Sequence, residues 1–157
     1  MGVTLPSKGW AAAMGKMFSD VAPIRVLIVE DEFLICEWVA EALGEQGFAV
    51  HMVSNARDAL RHLASAPVDV LFTDINLPGG MDGAALARRA RDMMPELGVV
   101  YASARMMPDP QERVPGSIFV PKPYVPTLVG RLLASTLKID RRLRSGVTAV
   151  AIEQARL

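Results

Sequence analysis

Leu71-Phe72-Thr73-Asp74-Ile75-Asn76-Leu77-Pro78-Gly79-Gly80-Met81-Asp82-Gly83 is the stretch on which the reading of this chain turns. An apolar run over residues 68–73 stops at a carboxylate, Asp74, and a loop with one proline and three glycines follows. In a parallel α/β sheet, ligands bind at the carboxyl ends of the strands, where Asp74 would sit. A charge there is costly to desolvate unless it is paired or does chemistry. The position reads as a carboxylate that accepts a phosphoryl group.

Working outward, residues 24–29 form a nearly continuous β-branched apolar run, as expected of a strand buried on both faces. It ends in Glu30-Asp31-Glu32. Leu34, Ile35, Trp38, Val39, Ala42 and Leu43 then recur at helical spacing, and Gly44 or Gly47 closes that helix. Residues 48–53 are a second strand. Asn55 can cap a helix with Ala56, Ala59, Leu60 and Leu63 on one face, stopped before Pro67. The run before Asp74 is the third strand. Beyond the loop, residues 84–94 read as a helix with Leu86, Ala90, Met93 and Met94 apolar and Arg88, Arg89 and Arg91 largely outward. A fourth strand over 99–102 ends at Ser103, and a fifth over 118–120 ends at Pro121-Lys122-Pro123. A last helix from about Pro126 carries Leu128, Val129, Leu132, Leu133 and Leu137.

This alternation predicts a doubly wound, five-stranded parallel sheet. Pro108, Pro110 and Pro115 leave no room for a full helix between strands four and five, so any helix there is short or disrupted. The 157 residues divide into an extension over 1–23, one domain over 24–137 and a helical extension or tail over 138–157. The tail is too short for a DNA-binding or catalytic output domain, which predicts a stand-alone module. Lys+Arg and Asp+Glu balance at a formal net charge of zero, which gives no electrostatic reason to expect nucleic acid or a membrane surface as partner. Near the N-terminus, Gly15 and Lys16 cut the run Trp10-Ala11-Ala12-Ala13-Met14 too short for a secretory core. Nor does any apolar run approach the roughly 18–20 residues that span a bilayer. The single cysteine, Cys36, cannot form an internal disulfide, so a reducing cytoplasm is the expected location.

Set side by side, the strand ends carry Glu30 and Asp31, Asp74, Ser103 and Lys122, all on one rim. Crowded carboxylates repel by several kcal/mol per pair at roughly 4 Å and an effective dielectric near 20. An oxygen-loving divalent cation relieves that repulsion, and Mg²⁺ suits it because it accepts a few carboxylates and keeps several waters. Asp74 is then the nucleophile, with Lys122 and the Ser103 hydroxyl available to the other phosphoryl oxygens.

Glu30-Asp31, Asp74, Ser103-Ala104 and Lys122-Pro123, in this order at these strand ends, resemble the response-regulator receiver domain of two-component signalling over about residues 24–137. The resemblance implies a flavodoxin-like receiver fold. It implies that Asp31 and Asp74 ligate Mg²⁺ directly, that Glu30 acts largely through water, and that the main-chain carbonyl of Asn76 adds a ligand. It also implies a cis Lys122–Pro123 bond and a switch pair, Ser103 and Phe119. Phosphate would come from a histidine kinase or a phosphotransfer protein. Output would pass through an unidentified downstream protein or a homodimer, the face around 105–116 and the last helix being the expected docking surface.

Each residue also has a plainer reading. Asp31 and Glu32 could only complement a helix dipole, Asp74 could cap a turn, Lys122 could be a solvated loop lysine, and Ser103 a strand-end hydroxyl. Phe119 could be simply core. Their conjunction is what favours chemistry. Asp82 is expected only to shape the turn, His51 and His62 to be structural or solvated, and Cys36 to be buried and inert. A flavin-phosphate site is disfavoured by the three acids after the first strand. An aspartyl-phosphate hydrolase is disfavoured by Asn76, which stands where a second acid would serve. The remaining rival is a receiver-like adaptor that acts independently of phosphorylation.

Overall fold

The computed structural model describes residues 22–105 and 107–137. Nearly all of the expected N-terminal extension and all of the expected C-terminal one lie outside the described residues. The elements run β1 (Arg25–Val29), α1 (Phe33–Glu45), β2 (Ala49–Val53), α2 (Ala56–Ser65), β3 (Val70–Asp74), α3 (Gly83–Met93), β4 (Gly98–Ser103), β5 (Ile118–Pro121) and α4 (Pro126–Ser135). All strand pairings are parallel, in the order β2-β1-β3-β4-β5. The expected doubly wound, five-stranded sheet is therefore present.

Alternate strand residues feed two cores, because successive side chains in a strand point to opposite faces. Val26, Ile28, Val70, Phe72 and Val100 pack with Cys36, Val39 and Leu43 of α1 and Val129 and Leu133 of α4. Leu27, Val29, Leu71, Val99 and Tyr101 pack with Ala59 and Leu63 of α2 and Leu86 and Ala90 of α3. With both faces covered, β1, β3 and β4 must be apolar throughout, which is why they read as unbroken runs. Each fully buried Leu, Ile or Val contributes about 1.5–3 kcal/mol relative to exposure.

Local signals set the helix starts. The Asn55 side chain accepts from the Asp58 amide at 2.9 Å and opens α2. Asp82 does more than shape a turn, since its side chain accepts from the Ala85 amide at 2.7 Å and caps α3. Pro126 occupies the first turn of α4, where its missing N–H is harmless.

Three details of the helix faces come from the structure. The buried face of α1 is narrower than its apolar spacing suggests: Leu34 and Trp38 point to solvent at 78% and 57% exposure. Met93, one of the apolar residues of α3, is likewise exposed. Arg88 and Arg89 are exposed as expected and Arg91 is half-buried; Arg88 and Arg91 also donate to the carbonyls of Glu112 and Pro115 at 2.9 and 3.0 Å. These bonds hold the segment between β4 and β5, which among the described residues contains turns and no helix. The Val114 amide completes the attachment by donating to the buried Tyr101 hydroxyl at 3.2 Å.

Candidate functional site

The strand order reverses between β1 and β3, opening a crevice at their carboxyl ends. Glu30 and Asp31 follow β1 directly, and Asp74 is the last residue of β3. Glu30 and Asp74 are buried, whereas Asp31 is exposed. The loop after β5 brings the Lys122 ammonium between the two buried acids, 2.6 Å from Glu30 Oε2 and 2.9 Å from Asp74 Oδ2. Main-chain bonds fix both flanks: the Glu30 amide donates to the Val53 carbonyl and the Lys122 amide to the Ser103 carbonyl. The Lys122–Pro123 bond is cis.

The Asp74 carboxylate is held from two sides, since its Oδ1 accepts from the Asn76 amide at 3.0 Å while Lys122 holds Oδ2. Behind it, the buried Thr73 hydroxyl donates to the Asp74 carbonyl at 2.9 Å. Gly83 makes room for this turn. Its amide donates to the Ile75 carbonyl at 2.7 Å, and a Cβ there would collide with the Asp74 carbonyl oxygen. Gly79 and Gly80, with φ of 91° and 86°, carry the loop through conformations that other residues rarely adopt.

Ser103 lies at the end of β4 with its side chain buried. Its Oγ accepts from the Arg105 amide at 3.1 Å and meets the Asn76 side-chain amide at 3.4 Å, which leaves the hydroxyl proton to donate. Phe119 is half-buried on β5, against the core that holds Tyr101 and Val114. Glu30, Asp31, Asp74, Asn76, Ser103 and Lys122 thus share one rim, and Phe119 sits beneath it.

Burial pushes the Glu30 carboxyl up; the Lys122 hydrogen bond and the Glu32 amide counter that in part, and the Asp74 charge adds to it. For Lys122, burial pulls the ammonium down, but the bonds to Glu30 and Asp74 outweigh it and raise it above the ordinary lysine range. The ammonium is therefore firmly cationic at neutral pH. Three carboxylates against one ammonium leave two uncompensated negative charges. Glu30, Asp31 and Asp74 can each present an oxygen within 4.8 Å of the others. An all-oxygen set with this charge balance, open to water on the Asp31 side, fits a hard divalent cation.

Sequence reasoning missed several neighbours. Tyr124 packs edge-on against Phe72, and burial pushes its hydroxyl up to about 12. Thr73 and Tyr101 look like ordinary strand residues, and only their buried hydroxyl contacts set them apart. His51 and His62 stack with centroids 3.8 Å apart, which is packing, at one wall of a hollow of about 570 Å³ beside Glu30 and Asp31. Burial raises the Cys36 thiol to about 11, consistent with an inert residue.

Comparison with known proteins agrees with this arrangement. The sequence profile of the response regulator receiver domain matches residues 26–116, more than half of the chain. The response regulator receiver protein CpdR of Brucella abortus is 34% identical over 89 residues, which cover 54% of this chain and 73% of that one. A response regulator receiver protein of Sinorhizobium medicae superposes with a TM-score of 0.71 at 26% identity, over 80% of this chain and 100% of that one. TrrA of Thermotoga maritima, solved in complex with Mg²⁺–BeF, shares the fold with a TM-score of 0.64 at 24% identity, over 73% of this chain and 99% of that one. Several curated relatives are longer, and the chain spans about half of their length or less, the sensor protein TorS of Escherichia coli among them. The cluster of Glu30, Asp31 and Asp74 resembles the Mg²⁺ site of receiver domains. With the parallel sheet, the acidic rim and the matched profile in agreement, the chain belongs to the response-regulator receiver-domain family of two-component signalling.

Proposed function

We propose that this receiver is a phosphoacceptor that takes a phosphoryl group on Asp74 in a Mg²⁺-dependent reaction and signals through protein association. The observation that carries the reading is the Lys122 ammonium, held between Glu30 and Asp74 in a cluster with two negative charges to spare. A carboxylate oxygen of Asp74 bonds to phosphorus as the bond from phosphorus to the donor's leaving group breaks, giving an acyl phosphate. Glu30 (largely through water), Asp31, Asp74 and the main-chain carbonyl of Asn76 would hold the cation. When bound, Mg²⁺ neutralises charge on the carboxylates and on the phosphoryl oxygens. Lys122 pairs with a second phosphoryl oxygen, and its raised basicity keeps it charged throughout. The Ser103 hydroxyl donates to a third. Drawing Ser103 toward the phosphate vacates space that Phe119 fills, so the pair forms the switch.

Receiver domains work with histidine kinases and phosphotransfer proteins, and sensor kinases are among the relatives in sequence. Such a protein, in the cytoplasm, is the proposed phosphate source, with a downstream protein or a second copy as the recipient of the signal. Incubation with Mg²⁺ and acetyl phosphate should add one hydroxylamine-labile phosphate, detected as a single mass increment. Asp74→Asn should abolish it. Equal labelling of Asp74→Asn would leave the phosphorylation-independent adaptor as the reading.

A further inference from the structure

The zero net charge of the chain hides a separation across the sheet. The helices over one core, α1 and α4, carry Glu37, Glu41 and Glu45 against Arg131 alone. Those over the other, α2 and α3, carry five arginines against Asp58 and Asp92. Each molecule thus has an acidic side and a basic side, a distribution that acts on association and not on the fold. Among the described residues none of the three glutamates pairs with a cation, and neither Arg57 nor Arg89 pairs with a carboxylate.

The basic side has a shape as well as a sign. A hollow of about 670 Å³ is lined by Arg57, Leu60 and Arg61 of α2 and by Pro78, Met81 and Arg89 from α3 and the loop before it. Arg61 meets Asp58 at 3.3 Å in an exposed pair, which holds it weakly. The acidic side is a single helix face. At about 100° per residue, Leu34, Glu37, Trp38, Glu41 and Glu45 share one side of α1, opposite the buried Cys36, Val39 and Leu43. All five are exposed. Glu37, Glu41 and Glu45 recur every four residues, a rise of about 6 Å, and Arg57 and Arg61 repeat that spacing on α2. Leu34 and Trp38 stand among the glutamates as Leu60 and Met81 stand among the arginines. Charge, spacing and apolar content therefore match between the two sides.

We infer that the outer face of α1 on one copy of this chain docks in the arginine-lined hollow of the next. The glutamates meet Arg57, Arg61 and Arg89, and Leu34 and Trp38 meet Leu60 and Met81. The two surfaces lie on opposite faces of the sheet, so the contact is head-to-tail and leaves one surface free at each end. Repetition builds rings or open chains, not a two-fold dimer. One helix face in a groove is a small contact, and salt screens exposed charges, so assembly is reversible and belongs to low ionic strength. Both halves of the contact adjoin the rim: α1 begins two residues after Asp31, and Pro78 and Met81 belong to the loop that follows Asp74. Phosphate on Asp74 would therefore act on the contact, a consequence that rests on the phosphoacceptor reading above; the association does not.

The test is sedimentation equilibrium of the full chain. At low salt the average mass should rise with concentration past that of a dimer, and at high salt it should return to the monomer. Arg57→Gln with Arg89→Gln removes charge from the hollow and leaves α1 acidic; Glu37→Gln, Glu41→Gln and Glu45→Gln do the reverse. All five positions are exposed, so the thermal midpoint of the fold should hold in both variants. Each variant alone should associate about tenfold more weakly than the parent. Mixed, the two should form one-to-one pairs that grow no further, because each supplies the surface that the other lacks. A parent that stays monomeric at low salt, or that stops at a two-fold dimer, would overturn the inference. So would a mixture that fails to pair, or either variant assembling like the parent. A monomeric parent whose hollow binds a glutamate-rich peptide would overturn it too, and would assign the surface to another protein. The readout needs no phosphate, so its failure and that of the phosphorylation assay are distinguishable.

Discussion

The two edge strands of the sheet deliver their site residues by opposite means. β2 is entered through α1 and left through α2, two helices with buried apolar faces, and its last carbonyl, that of Val53, receives the Glu30 amide at 3.1 Å. β5 is entered through residues 104–117, which contain no helix among those described, and the residue after it, Lys122, donates to the Ser103 carbonyl at 2.8 Å. Both edges end in the same kind of main-chain bond to the rim. What differs is what holds the approach to each strand: the buried apolar faces of α1 and α2 on either side of β2, and a few point contacts from Arg88, Arg91 and Tyr101 on the segment that enters β5. A rim needs only the register of its strand ends. Packing spreads that task over many small terms, whereas point contacts concentrate it, so the β5 side should fail at single residues and the β2 side should not.

The largest effect is expected at the exit of β5. Lys122→Met leaves Glu30 and Asp74 buried beside each other with no cation, and breaking a buried pair from one side costs about 3–5 kcal/mol. Urea unfolding without divalent ions should show that loss. Mg²⁺ should then stabilise the variant more than the parent, because the ion substitutes for the missing charge. An unchanged urea midpoint would show that the ammonium does not hold the two acids together.

A smaller and more local effect is expected from Tyr101→Phe. It orphans the buried amide of Val114, which costs about 1–3 kcal/mol. Hydrogen exchange should quicken at Val114 and its neighbours in 104–117 and stay unchanged across β2. Uniform quickening over the whole sheet would erase the contrast between the edges.

The smallest effect concerns the β2 side and its pH dependence. Burial, then the neighbouring His51, lowers the His62 imidazole from its ordinary value. A depressed value in the folded state means that the contribution is present above the unfolded value of 6.5 and is lost as pH falls through the folded one. Asp58, Arg61, Glu30 and Asp31 line the same hollow. Mild acidification should therefore lower the urea midpoint slightly, and His51→Gln should flatten the slope. A slope unchanged by His51→Gln would separate the stacked pair from the stability of that edge.

Much of this was legible before any coordinates. The strands buried on both faces had to be apolar throughout, and they were recognisable for that reason, as were their polar ends at Glu30, Asp74, Ser103 and Lys122. The helix starts at Asn55 and Pro126 were equally plain, because caps are local. The prolines at 108, 110 and 115 announced the missing helix. Legibility failed where a side chain's role depends on what lies across from it. Leu34 and Trp38 have helical spacing with the true core residues, yet they fall on the far side of the face that α4 and the sheet cover. Arg88 and Arg91 look like solvated residues until the carbonyls of Glu112 and Pro115 are placed beside them. Nothing in the local pattern around Tyr101 announces that its hydroxyl meets the Val114 amide.

The order of elements, the apolar strands and the identity of the charges at their ends were determined by the sequence alone, because hydrophobic period and turn chemistry act over a few residues. Which charges meet was decided by the tertiary structure. Ninety-two residues separate Glu30 from Lys122, and the 2.6 Å contact between them exists because parallel register brings strand ends from all along the chain to one rim.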